Sequence, residues 1–247
     1  MTTPLRDVSP SGYARIAGIL YLLITVAAIF AHMYMPNMLI VAGDAATTAN
    51  NIIASQPLFR AGIGAELVIL LSEIVLSVIL YVIFRPVSKT LSLLAAVSRL
   101  IMTAVHGFNL INYFFVLLLL GGEGYLATFG ADQLNALVSL FLEAHHFGFT
   151  IGIAFLTIHV FTLGYLILKS GYVPRWLGVL FLLAGVGYFV DSFALLLTTR
   201  YTTTPAVVAL PIAVAEIAFP LWLLIKGVNS ESAAQGDAGR QTLPHAI

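Results

Sequence analysis

The stretch RAGIGAELVILLSEIVLSVILYVIF-RPVSKT-LSLLAAVSRLIMTAVHGFNLINYFFVLLLLG, residues 60–121, decides the fold. Its two apolar runs are each long enough to cross a bilayer as a helix, and a short basic turn at residues 85–90 joins them. A turn this short makes the two helices antiparallel neighbours. Within its apolar runs the hairpin carries Glu66, Glu73, Arg99, His106 and Asn109. Because ionisable groups are rare and costly within a membrane, their positions are the best indication of a functional site.

The composition of the whole chain extends this conclusion beyond the hairpin. The 247 residues are 60% hydrophobic and only 9% charged, and the mean hydropathy is +1.00. A soluble domain carries about 25% charged residues, so this chain must be surrounded by membrane lipid, which is its expected partner. The formal net charge of zero argues against a nucleic-acid partner. The chain has no cysteine, which excludes disulfides, thiolate catalysis and cysteine-based metal sites.

The apolar runs predict an all-α bundle of six transmembrane helices in one domain at residues 13–228. A disordered arm at 1–12 and a disordered tail at 229–247 flank this domain. Asp44 is expected to cap a short interfacial helix. The helical stretch 133–169 would measure about 55 Å against a membrane core of about 30 Å, so its first part should lie at or beyond the interface. The six spans are predicted at 13–35, 60–84, 90–120, 147–169, 174–197 and 205–225.

The distribution of basic residues predicts the orientation. If the chain crosses the membrane six times, eight of the 11 basic residues lie on the side of the N-terminus: Arg6, Arg15, Arg85, Lys89, Lys169, Arg175, Lys226 and Arg240. Only Arg60 and Arg200 fall on the opposite side, and Arg99 lies within a span. The positive-inside rule therefore predicts that both termini are cytoplasmic.

Several segments resemble a known family. The run from Asp44 to Ile52, the Leu58-Phe59-Arg60 triplet and the run from Arg85 to Ala95 are similar to the bacterial family catalogued as domain of unknown function 4386. Later segments extend the resemblance over about residues 13–225: Leu163–Leu166, Ser170–Pro174 and Leu177–Leu180. The resemblance implies a multi-spanning protein of the bacterial inner membrane, and it supplies no activity or catalytic residue.

Depth along each helix sorts the polar groups into two layers. Glu73 and Arg99 lie about 16 and 14 Å above the basic turn, and Glu66 and His106 about 27 and 24 Å above it. The hairpin therefore predicts a two-rung ladder, with a structural Glu73–Arg99 ion pair below and Glu66 with His106 above. His159 and Glu216, each about 15 Å from the end of its span, join the lower layer.

The upper layer also includes Asp191, at about 24 Å, and the cluster Glu143, His145 and His146 near the outer boundary. Carboxylates outnumber cations here, which predicts protonated acids, a bound cation or an outward-facing, water-filled cavity. The predicted ligand-binding set is Glu66, His106, Asn109, Asp191, Glu143, His145 and His146. If a metal such as Zn²⁺ is present, its ligands would come from His106, His145, His146, Glu66 and Asp191. His32 ends span 1 on the same side.

Haem is a weaker alternative. His145 and His159 lie on one helix face about 21 Å apart, but each haem would need a second histidine at equal height on a facing helix. His106 lies between the two heights, and only His32 is a candidate to match His145. The sequence requires no cofactor, and it contains no nucleotide-binding or serine-hydrolase motif.

Three hypotheses therefore remain open. The first is a membrane protein that binds or transports a small ligand, cation or proton in the outer polar cavity. The second is a metal-dependent intramembrane hydrolase acting on lipid, in which the same residues would activate water. The third is a non-catalytic accessory or scaffold protein whose buried polar groups only specify packing. Substrate and oligomeric state are not predicted.

Overall fold

The computed structural model describes residues 9–122, 124–201 and 203–228, and none of these residues lies in a β-strand. The helices are α1 Pro10–Ala28, a π-helical segment Ile29–Tyr34, α2 Met35–Leu39, α3 Ala45–Ala54, α4 Gln56–Phe84, α5 Lys89–Asn109, α6 Ile111–Leu119, a 3-10 turn Gly124–Leu126, α7 Ala131–Ser170, α8 Arg175–Leu197 and α9 Ala206–Ile225. Six stretches are long and apolar enough to cross a membrane: Pro10–Leu39, Gln56–Phe84, Lys89–Leu119, Ala131–Ser170, Arg175–Leu197 and Ala206–Ile225. The predicted all-α membrane bundle of six spans is confirmed.

Span 1 begins earlier and ends later than the sequence pattern indicates. Ser9 caps α1 by accepting a hydrogen bond from the Gly12 N–H at 3.1 Å, and Pro10 occupies the first turn. Residues 10–12 are therefore helical, which corrects the predicted arm at 1–12. Residues 1–8 and the predicted tail 229–247 lie outside the described residues.

The predicted short helix after span 1 is present as α3. The Thr47 N–H donates to the Asp44 carboxylate at 2.9 Å, and the Thr47 hydroxyl donates to it at 2.7 Å. These bonds hold the pKa of the Asp44 carboxyl below its usual value. Thr48 secures the preceding loop by accepting a hydrogen bond from the Val41 N–H at 2.9 Å.

The central hairpin consists of α4 followed by α5 and α6. Helix α4 begins at Gln56, four residues before the predicted start, and span 3 divides into two helices at Leu110. Beside the basic turn, the Ser92 hydroxyl donates to the Tyr81 carbonyl at 3.0 Å and joins the two helices.

The six spans form a closed ring in chain order. Helix α1 packs on α4, α4 on α5, α5 on α7, α7 on α8, α8 on α9, and α9 returns to α1. Glycine allows the closing contact, because a Cβ at Gly18 would lie 2.9 Å from the Pro220 carbonyl oxygen. A Cβ at Gly227 would lie 2.8 Å from the Ser11 hydroxyl, so both ends of the described chain lie at one end of the ring.

Helix α7 is continuous over 40 residues, as the sequence predicts for this long stretch. Its first part packs against α3 and α6, and its later part packs against α5 and α8. The helix ends at Gly171, whose φ of 74° is the left-handed conformation that terminates helices.

Candidate functional site

Arg99 on α5 is the centre of a buried polar cluster. Its guanidinium binds both carboxylate oxygens of Glu73, with Nη2 to Oε1 at 2.9 Å and Nε to Oε2 as the second contact. Nη1 donates to the Tyr21 hydroxyl at 3.1 Å and to His159 Nε2 at 3.0 Å. The predicted Glu73–Arg99 ion pair is present, and the four residues Arg99, Glu73, Tyr21 and His159 are called the Arg99 cluster below.

The contacts of His159 fix its protonation state. A guanidinium can only donate, so Nε2 must accept the bond from Arg99. Nδ1 lies 2.8 Å from the Ala95 carbonyl oxygen, which can only accept, so Nδ1 carries the proton. His159 is therefore a neutral imidazole, fully buried, with both nitrogens engaged and no lone pair left for haem iron.

A second acid faces the same region from α9. The Tyr188 hydroxyl donates to Glu216 Oε1 across the α8–α9 contact. The Glu216 side chain is exposed in the structure and lines a cavity, and it forms no ion pair with any residue of the described ranges. Its carboxylate is thus held by one neutral donor.

Between the spans lies a central cavity of about 270 Å³. Every span contributes a polar residue to its wall, namely Tyr21, Glu73, Arg99, His159, Tyr188 and Glu216 in chain order. The rest of the wall is mainly apolar, with Leu156 and Phe181 among its members. The ring of six helices therefore encloses one site to which all of them contribute.

The charges around this cavity do not cancel. Glu73 and Arg99 neutralise each other, and His159 is neutral by its hydrogen bonds. Two carboxylates therefore face one guanidinium, and Glu216 is the acid that forms no ion pair with it, so one negative charge remains. It must either hold a proton or face a cation, because an isolated carboxylate at the membrane centre is costly.

The upper layer is arranged differently from the prediction, starting with His106. Nε2 of His106 donates to the Phe149 carbonyl of α7 at 2.9 Å. The ring occupies the space left by Gly152, where any Cβ would overlap Nε2. His106 therefore fits a notch in α7, and it is not the ion-pair partner of Glu66.

Asn109 fits the neighbouring notch. Its side-chain amide donates to the His145 carbonyl at 2.8 Å, and a Cβ at Gly148 would overlap it. The His145 ring stacks on Tyr113 with centroids 3.7 Å apart. Gly148 and Gly152, four residues apart on α7, thus receive the two polar side chains of α5.

Glu66 is paired with His32. His32 Nδ1 lies 3.3 Å from Glu66 Oε1, but the groups are not aligned for a hydrogen bond, and Oε1 accepts none from the described residues. His32 belongs to the π-helical segment of span 1 and also lines the central cavity. Glu66 therefore does not line the central cavity itself, but its partner His32 does.

The remaining members of the predicted set lie elsewhere. Asp191 accepts a hydrogen bond from the Tyr201 hydroxyl at 2.8 Å. Glu143 and His146 are exposed and line a separate groove of about 570 Å³ together with Asp44. No group of three or more His, Asp or Glu side chains is placed to hold a metal ion within the described residues.

The predicted upper-layer set is thus divided among three places and does not line one outward-facing cavity. The physical reason is that equal depth does not place side chains on the same side of a ring. Helix α8, which carries Asp191, packs on α7 and α9, whereas α4, which carries Glu66, packs on α1 and α5. The two acids therefore belong to opposite parts of the ring.

Tyr21 and Tyr188 were not predicted as members of the site, and His32 was given only a minor place. The depth argument used acidic, basic, histidine and amide side chains, although a phenol buried within a span also needs a hydrogen-bond partner. Counting tyrosines by depth would have pointed to the lower layer.

Comparison with known proteins agrees with this architecture. An uncharacterised protein of Archaeoglobus fulgidus is 29% identical over 172 residues, which cover 70% of this chain and 86% of that protein. No solved structure matches the chain significantly. A family model described as a domain of unknown function, DUF4386, matches residues 16–227. Because this match covers nearly all of the six spans, the chain belongs to the DUF4386 family.

Proposed function

We propose that this multi-pass membrane protein binds a small ligand or cation in its central cavity and transports it across the inner membrane of a bacterium. The observation that carries the proposal is the accessible carboxylate of Glu216, which faces the cavity without a counter-charge. A scaffold would gain nothing from such a group, because every polar group that only fixes packing can be satisfied locally, as in the Arg99 cluster.

The depth of the cavity supports transport. Glu216 lies ten residues from the end of α9 at Lys226, or about 15 Å along the helix, which is half of a hydrocarbon core of about 30 Å. Substrate and coupling-ion sites of secondary transporters lie near the bilayer midplane. A site that all six helices line can respond to movement of any of them.

The helix that carries Glu216 has a further feature of transporter spans. Pro211 and Pro220 lie inside α9, on either side of Glu216. Proline has no N–H, so the Glu216 carbonyl loses the helical donor that residue 220 would otherwise supply. The helix stays continuous from Ala206 to Ile225, and a main-chain carbonyl without a helical donor at this depth is free to accept from another group.

The arrangement of basic residues supports the location and orientation. Arg15, Arg85, Lys169 and Lys226 lie near the end of the ring at which Ser11 and Gly227 meet. Positive residues are retained on the cytoplasmic side, so this end is the cytoplasmic one in the proposal.

Cysteine accessibility tests the proposal directly, because the chain has no cysteine of its own. Thr25 lines the cavity from α1, and Thr25→Cys is nearly isosteric. Leu71 on α4 is 66% exposed on the outside of the ring at a similar depth, so Leu71→Cys is the matched control. A thiol reacts as the thiolate, which forms only where water reaches it. Neutral methyl methanethiosulfonate should therefore modify the Thr25→Cys protein much faster than the control protein.

A thiol reagent that cannot cross the membrane, applied to one side of the membrane at a time, shows from which side the cavity is accessible. Labelling of Thr25→Cys from both faces supports transport, whereas labelling from one face indicates a binding protein. If both cysteines react equally slowly, the cavity is dry and the proposal fails. The scaffold hypothesis would then be favoured, since His106 and Asn109 already show polar groups used for packing. The metal-dependent hydrolase is not advanced, because no described group of side chains offers the ion three ligands.

A further inference from the structure

We propose that the ligand of the central cavity is a small organic monocation, an amine carrying an apolar body. The inference rests on the proposed function and names the chemical class that this cavity accepts. Charge, hydrogen-bonding capacity and cavity size each exclude a different alternative.

An anionic ligand is excluded by the state of Arg99. A guanidinium has five N–H donors. Two of them bind Glu73, one binds Tyr21 and one binds His159, which leaves a single N–H free. Recognition of a carboxylate or phosphate normally uses two parallel donors from one arginine. Glu216 would also repel an anion, so the cavity offers no pair of donors with which to bind one.

A bare metal ion is also disfavoured. Divalent ions require several oxygen or nitrogen ligands at once, and inorganic monocations likewise need their water shell replaced. The described wall has no group of three His, Asp or Glu side chains around one point, and most of it is apolar. A single ammonium needs only one carboxylate and a few acceptors, which Glu216 and the wall tyrosines Tyr21 and Tyr188 provide.

The size and lining of the cavity indicate the rest of the ligand. Its volume of about 270 Å³ is below the range of about 300–1,000 Å³ that is usual for drug-sized ligands. Leu156 and Phe181 supply apolar wall to the same cavity as Glu216, and aromatic rings also attract cations. A primary amine on one ring or a short branched chain matches these properties.

The test compares three probes that share one body and differ in charge: benzylamine, benzyl alcohol and benzoate. Binding to the full-length protein in nanodiscs is measured by calorimetry. A charge-assisted hydrogen bond contributes about 1.5–3 kcal/mol, so benzylamine should bind about tenfold or more tightly than benzyl alcohol. Benzoate should bind more weakly than both.

Variants assign the preference to Glu216. Glu216→Gln keeps the shape and can still accept from Tyr188, so the protein should fold and bind the amine and the alcohol about equally. Glu143→Gln, which removes an exposed carboxylate from the separate outer groove, should keep the full preference. Tyr188→Phe retains the charge at Glu216, so the amine should still be preferred over the alcohol.

The outcomes separate this inference from the proposed function. If Thr25→Cys is accessible but benzylamine binds no better than benzyl alcohol, the ligand class is wrong and the hydrated cavity remains. An unchanged amine preference in Glu216→Gln would also overturn the inference, because the charge would then be recognised elsewhere. If Thr25→Cys is inaccessible and no probe binds, both proposals fail together.

Discussion

Removing Glu73 should destabilise the protein more than removing Arg99, although the two side chains form one ion pair. The perturbations are Glu73→Gln, Arg99→Met and the double variant. Both residues are buried, with Glu73 4% and Arg99 5% exposed, so water in the cavity can replace only a small part of what each charge gains from its partner. The difference arises because a carboxyl group can take up a proton, whereas a guanidinium cannot lose one.

The magnitude follows from what each variant leaves behind. Glu73→Gln leaves a buried cation whose remaining hydrogen-bond partners, Tyr21 and His159, are neutral, and breaking a buried pair in this way costs about 3–5 kcal/mol. Attraction to the Glu216 carboxylate across the cavity offsets part of this cost, so we expect a value near the lower end. Arg99→Met leaves an acid that can become neutral, and the cost falls to about 1–3 kcal/mol for unsatisfied polar groups. The double variant carries no charge in the cluster, so its cost should fall short of the sum by about 1–3 kcal/mol.

The assay is reversible unfolding of the purified protein in mixed micelles, followed by far-UV circular dichroism during a titration with SDS. All four proteins are measured at one pH, so that the free energies of unfolding form a double-mutant cycle. Two results would refute the reasoning. One is a cost for Arg99→Met at least as large as that for Glu73→Gln. The other is a double variant whose cost equals the sum within about 0.5 kcal/mol.

Two further predictions concern packing and one concerns pH. Gly152→Ala should lower the free energy of unfolding by about 1–3 kcal/mol, because the new methyl group displaces His106, and this loss should disappear in a His106→Ala background. The control is Gly64→Ala, where nothing lies within 4 Å of the new Cβ; it should raise the free energy of unfolding by about 0.5–1 kcal/mol. Tyr172→Phe removes the hydrogen bond that the phenol donates to the Ile83 carbonyl at 2.7 Å and should cost about 0.5–1.5 kcal/mol by the same unfolding assay. Burial raises the pKa of Tyr172, so its contribution should be complete below about pH 10 and lost as the pH rises further; a Tyr172→Phe protein that loses stability with pH as steeply as the wild type would contradict this.

The fold was predictable because each span is coded locally. An apolar run of sufficient length, ended by a residue such as Arg85 or begun after Pro174 or Pro205, specifies a membrane helix whatever its neighbours do. The Glu73–Arg99 pair was also predictable, since a short turn fixes the relative height and side of two adjacent helices. The break at Leu110 was not predicted, although Gly107, Asn109 and Asn112 around it are poor helix formers.

For the candidate site, the sequence predicted only the depth of each polar side chain in the membrane. Depth placed His159 and Glu216 level with Glu73 and Arg99, and the structure places all four at one cavity. Depth also placed Asp191 level with Glu66, but these two acids belong to different sides of the ring. Helices separated by a long stretch of chain have no turn to fix their mutual rotation, so height alone cannot say which of their side chains meet.

By itself, the sequence determined that the chain crosses the membrane six times, where the spans lie and at what depth each polar group is held. The energetic reason is that burial of apolar surface in lipid, and the cost of charge there, act on each helix separately. The tertiary structure decided that the ring closes between α1 and α9, and that Glu216 faces its centre without a counter-charge. These depend on close contacts at glycines such as Gly18 and on hydrogen bonds between distant spans, which exist only once all six helices are packed.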